Sequence, residues 1–220
     1  RADTGEKGIF VPFMPLAGWL STLNGYFRAN CLELSPQCVA FFGDLRSLPP
    51  TEALRAFEKA IEDIARGQRV GLGAYNLTEE NYWQAGAPAV LSALPDLFHM
   101  HSDNEDVREL LLDIARASRS AGLLVPLLTH ACGALKEIVF DEDALAYCLA
   151  VGSAADRQNL CSAALAAINL PERCLRVLFE SCAGKELKTQ DLVQLIGAAL
   201  EADSPRYFLR YSLVHEIGMA

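Results

Sequence analysis

The sequence is poor in what builds sheets and in what performs chemistry. β-Branched residues are sparse beside abundant Ala and Leu, a balance that favours helix over strand. No run alternates apolar and polar residues between turn signals, so essentially no sheet is expected. No stretch approaches the roughly 18 to 20 continuous apolar residues of a membrane span; the longest candidates, such as Gly122 to Leu128, are far too short. Basic residues form no patch beyond the small local pair Arg66 and Arg69, and the formal net charge is −9. An acidic chain repels phosphate backbones, which excludes general nucleic-acid binding. The cysteines are odd in number, seven, and no CxxC occurs among them. Most lie in apolar helical patterns such as Tyr147-Cys148-Leu149 and Leu160-Cys161-Ser162, and they read as reduced, buried side chains of a cytoplasmic protein.

Signatures of catalysis and of nucleotide binding are missing too. No GxSxG is present. Gly71-Leu72-Gly73 lacks the third glycine of a dinucleotide fingerprint, and Gly184-Lys185 lacks the upstream glycine and the following Ser or Thr of a P-loop. Asp103-Asn104-Glu105-Asp106 lacks the glycine and the terminal glutamate of a calcium loop. The carboxylates of Asp141-Glu142-Asp143 stand at a helix start, where they complement the dipole.

What is present is a helical pattern of globular size. The 220 residues, 51% apolar and 21% charged, suffice to bury a core without disulfide or metal. Residues 1–8 are polar, carry no initiator Met and read as a flexible terminus of a piece excised from a longer polypeptide. Gly18 to Cys31 reads as one helix, with Trp19, Leu20, Leu23, Phe27 and Cys31 near helical spacing. Ser35-Pro36 opens a short helix that Gly43 closes. Thr51 is placed to cap a strong helix over Ala53 to Arg66, whose Leu54, Phe57, Ile61 and Ile64 recur at steps of three and four. Gly67 to Gly73 breaks the chain. Pro88 starts a helix expected to end near Pro95, and Ser102 with Glu105 resembles a capping box for the helix that follows.

The second half repeats itself weakly at an offset of 49 to 50 residues. Arg108, Leu111, Leu112, Ile114 and Ala115 align with Arg157, Leu160, Cys161, Ala163 and Ala164. After one residue of slippage, Val125, Leu127, Leu128 and Cys132 align with Leu175, Val177, Leu178 and Cys182, and Leu145 with Leu195. Repeats of this length mark stacked helical arrays of HEAT or armadillo type. The expected fold is therefore all-α and α-solenoid-like. An N-terminal helical connector or cap occupies 9–100, repeat copies span about 103–152 and 153–202, and a closing helix covers 203–217 within a repeat region of 101–220.

Candidate chemistry is thin. His99-Met100-His101 followed by Asp103 is the single metal-like cluster, but it sits between helices with no strand to align the imidazoles. His130 and Cys132, two apart on a helix, point in different directions and do not make a nucleophile pair.

The order of elements resembles the HEAT-like helical region C-terminal to the NTPase module of bacterial NACHT/STAND-type signalling ATPases. The resemblance runs through Ser35-Pro36, Val39, Gly43-Asp44 and Leu48-Pro49-Pro50, then the helix Glu52 to Arg66, the segment Leu94-Pro95-Asp96-Leu97 and the helix Val107-Arg108 with Leu112-Asp113-Ile114-Ala115. It implies a sensor or scaffold arm with no catalytic residue of its own.

The function expected is thus non-enzymatic: a module for protein–protein interaction or autoinhibition, without cofactor, that binds a protein partner or other domains of its own polypeptide. It engages neither nucleic acid nor membrane. Candidate anchors outside the repeat are Trp19, Tyr26, Tyr75, Tyr82 and Trp83. Two rival readings remain: a metal-dependent helical enzyme built on His99 and His101, and a small-ligand sensor with an apolar pocket between helices.

Overall fold

A single asparagine divides the first helical segment. In the computed structural model, which describes residues 9, 11–67, 77–125, 127–128, 142–166 and 172–201, Asn24 adopts extended backbone (φ −133°, ψ 112°). Its side-chain oxygen accepts from the Phe27 amide at 3.0 Å. Helix α1 (Met14–Leu23) therefore ends and α2 (Gly25–Leu34) begins around it, where the spacing predicts one continuous helix from Gly18. Asparagine competes with helical hydrogen bonds from an interior position and serves better as a cap.

Helix α3 (Pro36–Phe42) opens on Pro36 and stops at Gly43, as the sequence predicts, although Ser35 makes no side-chain cap. A 3-10 turn at Leu45–Ser47 leads into α4 (Pro50–Ala65). Pro50 takes the first helical position, so Thr51 lies inside the first turn and is not the cap. The buried stripe of α4 is Phe57, Ile61 and Ile64 with Ala53, Ala56 and Ala60, while Leu54 is half-buried and Glu58 and Glu62 face solvent.

Helix α5 (Glu79–Ala85) is held by a capping box between Thr78 and Asn81. The Asn81 amide also donates to the Phe41 carbonyl at 2.9 Å, which ties α5 to α3. Helix α6 (Pro88–Met100) runs straight through Pro95 and ends five residues beyond it. Pro95 removes one backbone donor, yet Leu94 and Leu97 on either side are buried, and that packing carries the helix onward. Helix α7 (Glu105–Ala117) is capped by Asn104, whose side chain accepts from the Val107 amide at 3.1 Å. Ser102 lies exposed in the preceding turn and makes no capping box. Helices α3, α4, α6 and α7 surround a core in which Phe41 and Phe57 meet edge to face at 6.3 Å.

The chain divides into two compact units, residues 1–123 and 124–220. Helix α7 belongs with α4, α5 and α6, on which it packs, and not with the later repeat helices.

The second unit contains α8 (Glu142–Val151), α9 (Ala154–Ala166), α10 (Glu172–Cys182) and α11 (Thr189–Glu201). Helix α8 packs on α9 and α10, and α11 packs on both α9 and α10. Tyr147 is fully buried here. Ser153 and Asp156 cap α9 reciprocally: the Asp156 carboxylate accepts from the Ser153 amide at 2.9 Å, and the Ser153 hydroxyl accepts from the Asp156 amide at 3.2 Å. The Ser153 hydroxyl also donates to that carboxylate at 2.6 Å, and this bond, with the one from the Ser153 amide, holds the Asp156 carboxyl below its ordinary range.

The aligned positions of the two expected copies agree in part. Helices α7 and α9 are both 13 residues long and start 49 positions apart. The aligned pairs Leu111 with Leu160, Leu112 with Cys161, Ala115 with Ala164 and Leu145 with Leu195 are buried in both copies. Val125 breaks the match, being exposed where its counterpart Leu175 is buried. Residues 1–8, 129–132 and the closing helix expected over 203–217 lie outside the described residues. Among the described residues the fold is all-α, with no strand and one isolated bridge between Ala183 and Leu187.

Candidate interaction surface

Helix α1 packs inward with Met14 and three small residues. Met14, Ala17, Gly18 and Ser21 are buried, and they let α1 approach α3 closely. A Cβ at Gly18 would lie 2.5 Å from the Cys38 carbonyl oxygen and 2.5 Å from the Phe42 carbonyl carbon. The crossing is stitched by the Cys38 thiol, which donates to the Met14 carbonyl at 3.0 Å, and by the Asp44 amide, which donates to the Thr22 hydroxyl at 3.0 Å.

The large apolar residues of α1 point the other way. Leu16, Trp19 and Leu23, at steps of three and four, are 54%, 57% and 66% exposed, and Phe13 and Tyr26 flank them at 58% and 83%. With aromatic side chains of roughly 150–250 Å² each, these five residues together leave apolar surface on the order of 500 Å² exposed. No charged residue occurs between Ile9 and Phe27, a run of 19 positions. Arg28, the first charge after it, is turned inward, donating to the Ser21 carbonyl at 2.8 Å and pairing with Glu52 of α4.

Trp83 of α5 is 46% exposed. The Arg46 guanidinium lies 4.0 Å from its ring centroid and donates through Nε to the Trp83 carbonyl at 2.8 Å. The indole is therefore held flat against a cation and leaves its remaining surface outward.

No family model matches this chain. No curated protein and no solved structure matches it either.

The five aromatic anchor candidates separate by environment. Trp19, Tyr26 and Trp83 are exposed, Tyr82 is half-buried, and Tyr75 lies outside the described residues. The Tyr82 hydroxyl hydrogen-bonds Asp113 of α7, so its polar end is already engaged, and burial beside that carboxylate pushes its pKa up to about 12. Sequence reasoning missed Phe13 and Leu16, and it placed Leu23 with the helix stripe; the uncharged run from Ile9 to Phe27 is the signal that marks them. Of the metal-like cluster, His99 lies exposed in the last turn of α6, His101 caps it half-buried and Asp103 is exposed. Among the described residues no three His, Cys, Asp or Glu side chains gather closely enough to hold a metal ion, so these three do not converge. His130 and Cys132 lie outside the described residues.

Asp113 titrates unusually. Burial pushes its carboxyl above the ordinary range, against the opposing pull of Arg116, which donates to it at 2.6 Å, and of the Tyr82 hydroxyl. An acid that binds its proton more readily when folded contributes stability below its unfolded pKa and loses that contribution as pH rises through the folded value. The stability difference between wild type and Asp113→Asn is thus expected to decline as pH rises through the carboxylate range. Urea unfolding of both proteins across that range measures it, and a difference that grows with pH would contradict the assignment.

Proposed function

We propose that the chain is a non-enzymatic helical-repeat module, a HEAT-like scaffold or sensor arm of a bacterial NACHT/STAND-type signalling ATPase acting in the cytoplasm. It binds a protein partner or another domain of its own polypeptide, without nucleic acid or membrane, and in the second case serves autoinhibition. The observation that supports this reading is the divided burial of α1, with Met14, Ala17, Gly18 and Ser21 inside and Leu16, Trp19 and Leu23 outside. Large apolar side chains kept in water at helical spacing, in a run of chain free of charge, are what a protein interface buries at its centre. The Arg46–Trp83 pair offers a second anchor of the aromatic-and-arginine kind found at hot spots.

Photo-crosslinking tests it. A benzophenone amino acid placed at Leu23 in the full-length polypeptide is expected to give discrete adducts to one protein or to one segment of the same polypeptide. The same probe at the exposed Glu58 of α4 serves as the control. If both positions return the same diffuse adducts, the α1 face is not an interface and the reading fails.

A further inference from the structure

The apolar residues on the outer side of α1 are ordered symmetrically along the chain. Phe13, Leu16 and Trp19 run forward at steps of three, and Tyr26, Leu23 and Leu20 run backward at the same steps, about the Trp19–Leu20 peptide bond. Leu20 is half-buried and the other five are exposed. Reversing the direction of the chain therefore lays the set onto itself. Leu16, Trp19, Leu20 and Leu23 all lie on α1 and share one face of it, because residues three and four apart are neighbours on a helix.

We propose that this face joins two copies of the chain in a two-fold dimer, with the two α1 helices antiparallel. The proposal rests on the reading of that face as an interface and names its occupant.

In a two-fold interface one surface serves both copies, so that if residue i meets j, then j meets i. Antiparallel α1 helices centred on the Trp19–Leu20 bond put Leu16 of each copy opposite Leu23 of the other, and Trp19 opposite Leu20. Every pairing sets an apolar side chain against another, and Phe13 and Tyr26 form the flanks. A two-fold axis also brings like charges together, so a face that pairs with itself must be free of them. Ile9 to Phe27 carries none. The next two charges along the chain, Arg28 and Glu33 of α2, are already paired with Glu52 and Lys59 of α4. The net charge of −9 on each copy then opposes association only at a distance, where salt screens it. A partner recognised by charge would instead be released by salt.

The area fits the same occupant. A standard interface buries about 800 Å² on each side, and between identical subunits roughly 65% of it is apolar, or about 500 Å². The five exposed side chains leave apolar surface of that order. The same face of a second copy is thus large enough to cover the whole set.

Sedimentation velocity on the 220-residue chain tests this, over about 1–200 µM protein and in about 0.1 M and about 1 M NaCl. A reversible monomer–dimer equilibrium is expected, with a dissociation constant on the order of micromolar that falls at the higher salt. Trp19→Ser should weaken it by on the order of thirtyfold or more, with circular dichroism unchanged. Disulfide trapping reads the register: Leu16→Cys and Leu23→Cys chains, mixed and oxidised with copper phenanthroline, should cross-link more than either variant alone, with wild type as the control for native cysteines. A chain that stays monomeric in both salts overturns the proposal. So does a dimer that salt weakens, one that folded Trp19→Ser leaves intact, or equal trapping in the mixed and single samples. If Trp19→Ser does not fold, the trapping result decides. A monomeric chain whose photo-adducts at Leu23 in the full-length polypeptide are still discrete removes the second copy as occupant and keeps the interface. Diffuse adducts at both Leu23 and Glu58 remove the interface itself.

Discussion

Gly18→Ala is expected to destabilise the chain by about 3 kcal/mol, the upper end of ordinary overpacking, and Gly18→Val by more. The reason is the identity of the atoms a side chain would meet. An added Cβ lands 2.5 Å from the Cys38 carbonyl oxygen, 2.5 Å from the Phe42 carbonyl carbon and 2.6 Å from the Phe42 Cβ. These are backbone and near-backbone atoms of α3, which cannot swing aside as the end of a lysine could. Separating α1 from α3 would relieve the clash, but it would break the Cys38 to Met14 and Asp44 to Thr22 hydrogen bonds and expose Met14 and Ala17. A loss of this size is a large fraction of the roughly 5–15 kcal/mol that holds a domain folded. Gly67 is the contrasting case: its φ is +78°, yet a Cβ there meets nothing within 4 Å, so Gly67→Ala should cost only the left-handed backbone term of roughly 1–2 kcal/mol. Urea unfolding midpoints of the two variants and the wild type make the comparison. A Gly18→Ala protein within 0.5 kcal/mol of wild type, the range of an ordinary surface change, would show that the close crossing of α1 and α3 is not required.

Helices with a clean apolar stripe were legible in the sequence. The stripe of α4 at Phe57, Ile61 and Ile64, and that of α7 at Val107, Leu111 and Ile114, turn inward as their spacing demands. Ends were less legible where two devices compete for one position. Pro50 takes the first helical position of α4 and leaves Thr51 inside the first turn, and Asn104 rather than Ser102 caps α7; propensity alone does not say which of two neighbouring candidates stands at the boundary. Pro95 misled in the opposite sense: a missing amide is a local cost, and burial of Leu94 and Leu97 outweighs it. The interaction surface was half-legible. Trp19 and Tyr26 stood out as aromatics, but the spacing of Trp19, Leu20 and Leu23 reads equally well as a core stripe. Periodicity reveals that a helix has an apolar face, not which face its neighbours cover. In α1 the neighbours cover the side of Met14, Ala17, Gly18 and Ser21, a choice tied to the backbone approach at Gly18 that no hydrophobicity pattern records.

The same inversion separates stability from function in a way that two substitutions expose. Phe57→Ala removes a fully buried ring that meets Phe41 edge to face, leaves a cavity that its surroundings fill only in part, and is expected to cost about 3–5 kcal/mol. Trp19→Ser removes a larger side chain, yet one that is 57% exposed on the outer side of α1, and is expected to shift stability by no more than about 0.5 kcal/mol. Size alone would order the two the other way, so the comparison isolates burial as the deciding quantity. In the full-length polypeptide the order reverses: Trp19→Ser, combined with Leu23→Ser, should abolish the adducts formed by the photo-crosslinker at Leu16 while the fold persists. Interface anchors of this kind lose 2 kcal/mol or more of binding when truncated, a change on the order of thirtyfold or greater in affinity. Circular dichroism with urea titration reads the first quantity, and adduct yield under matched expression reads the second. If Trp19→Ser instead unfolds the chain at a cost like that of Phe57→Ala, the outer face of α1 is part of a core, and the interaction surface must be sought around Arg46 and Trp83.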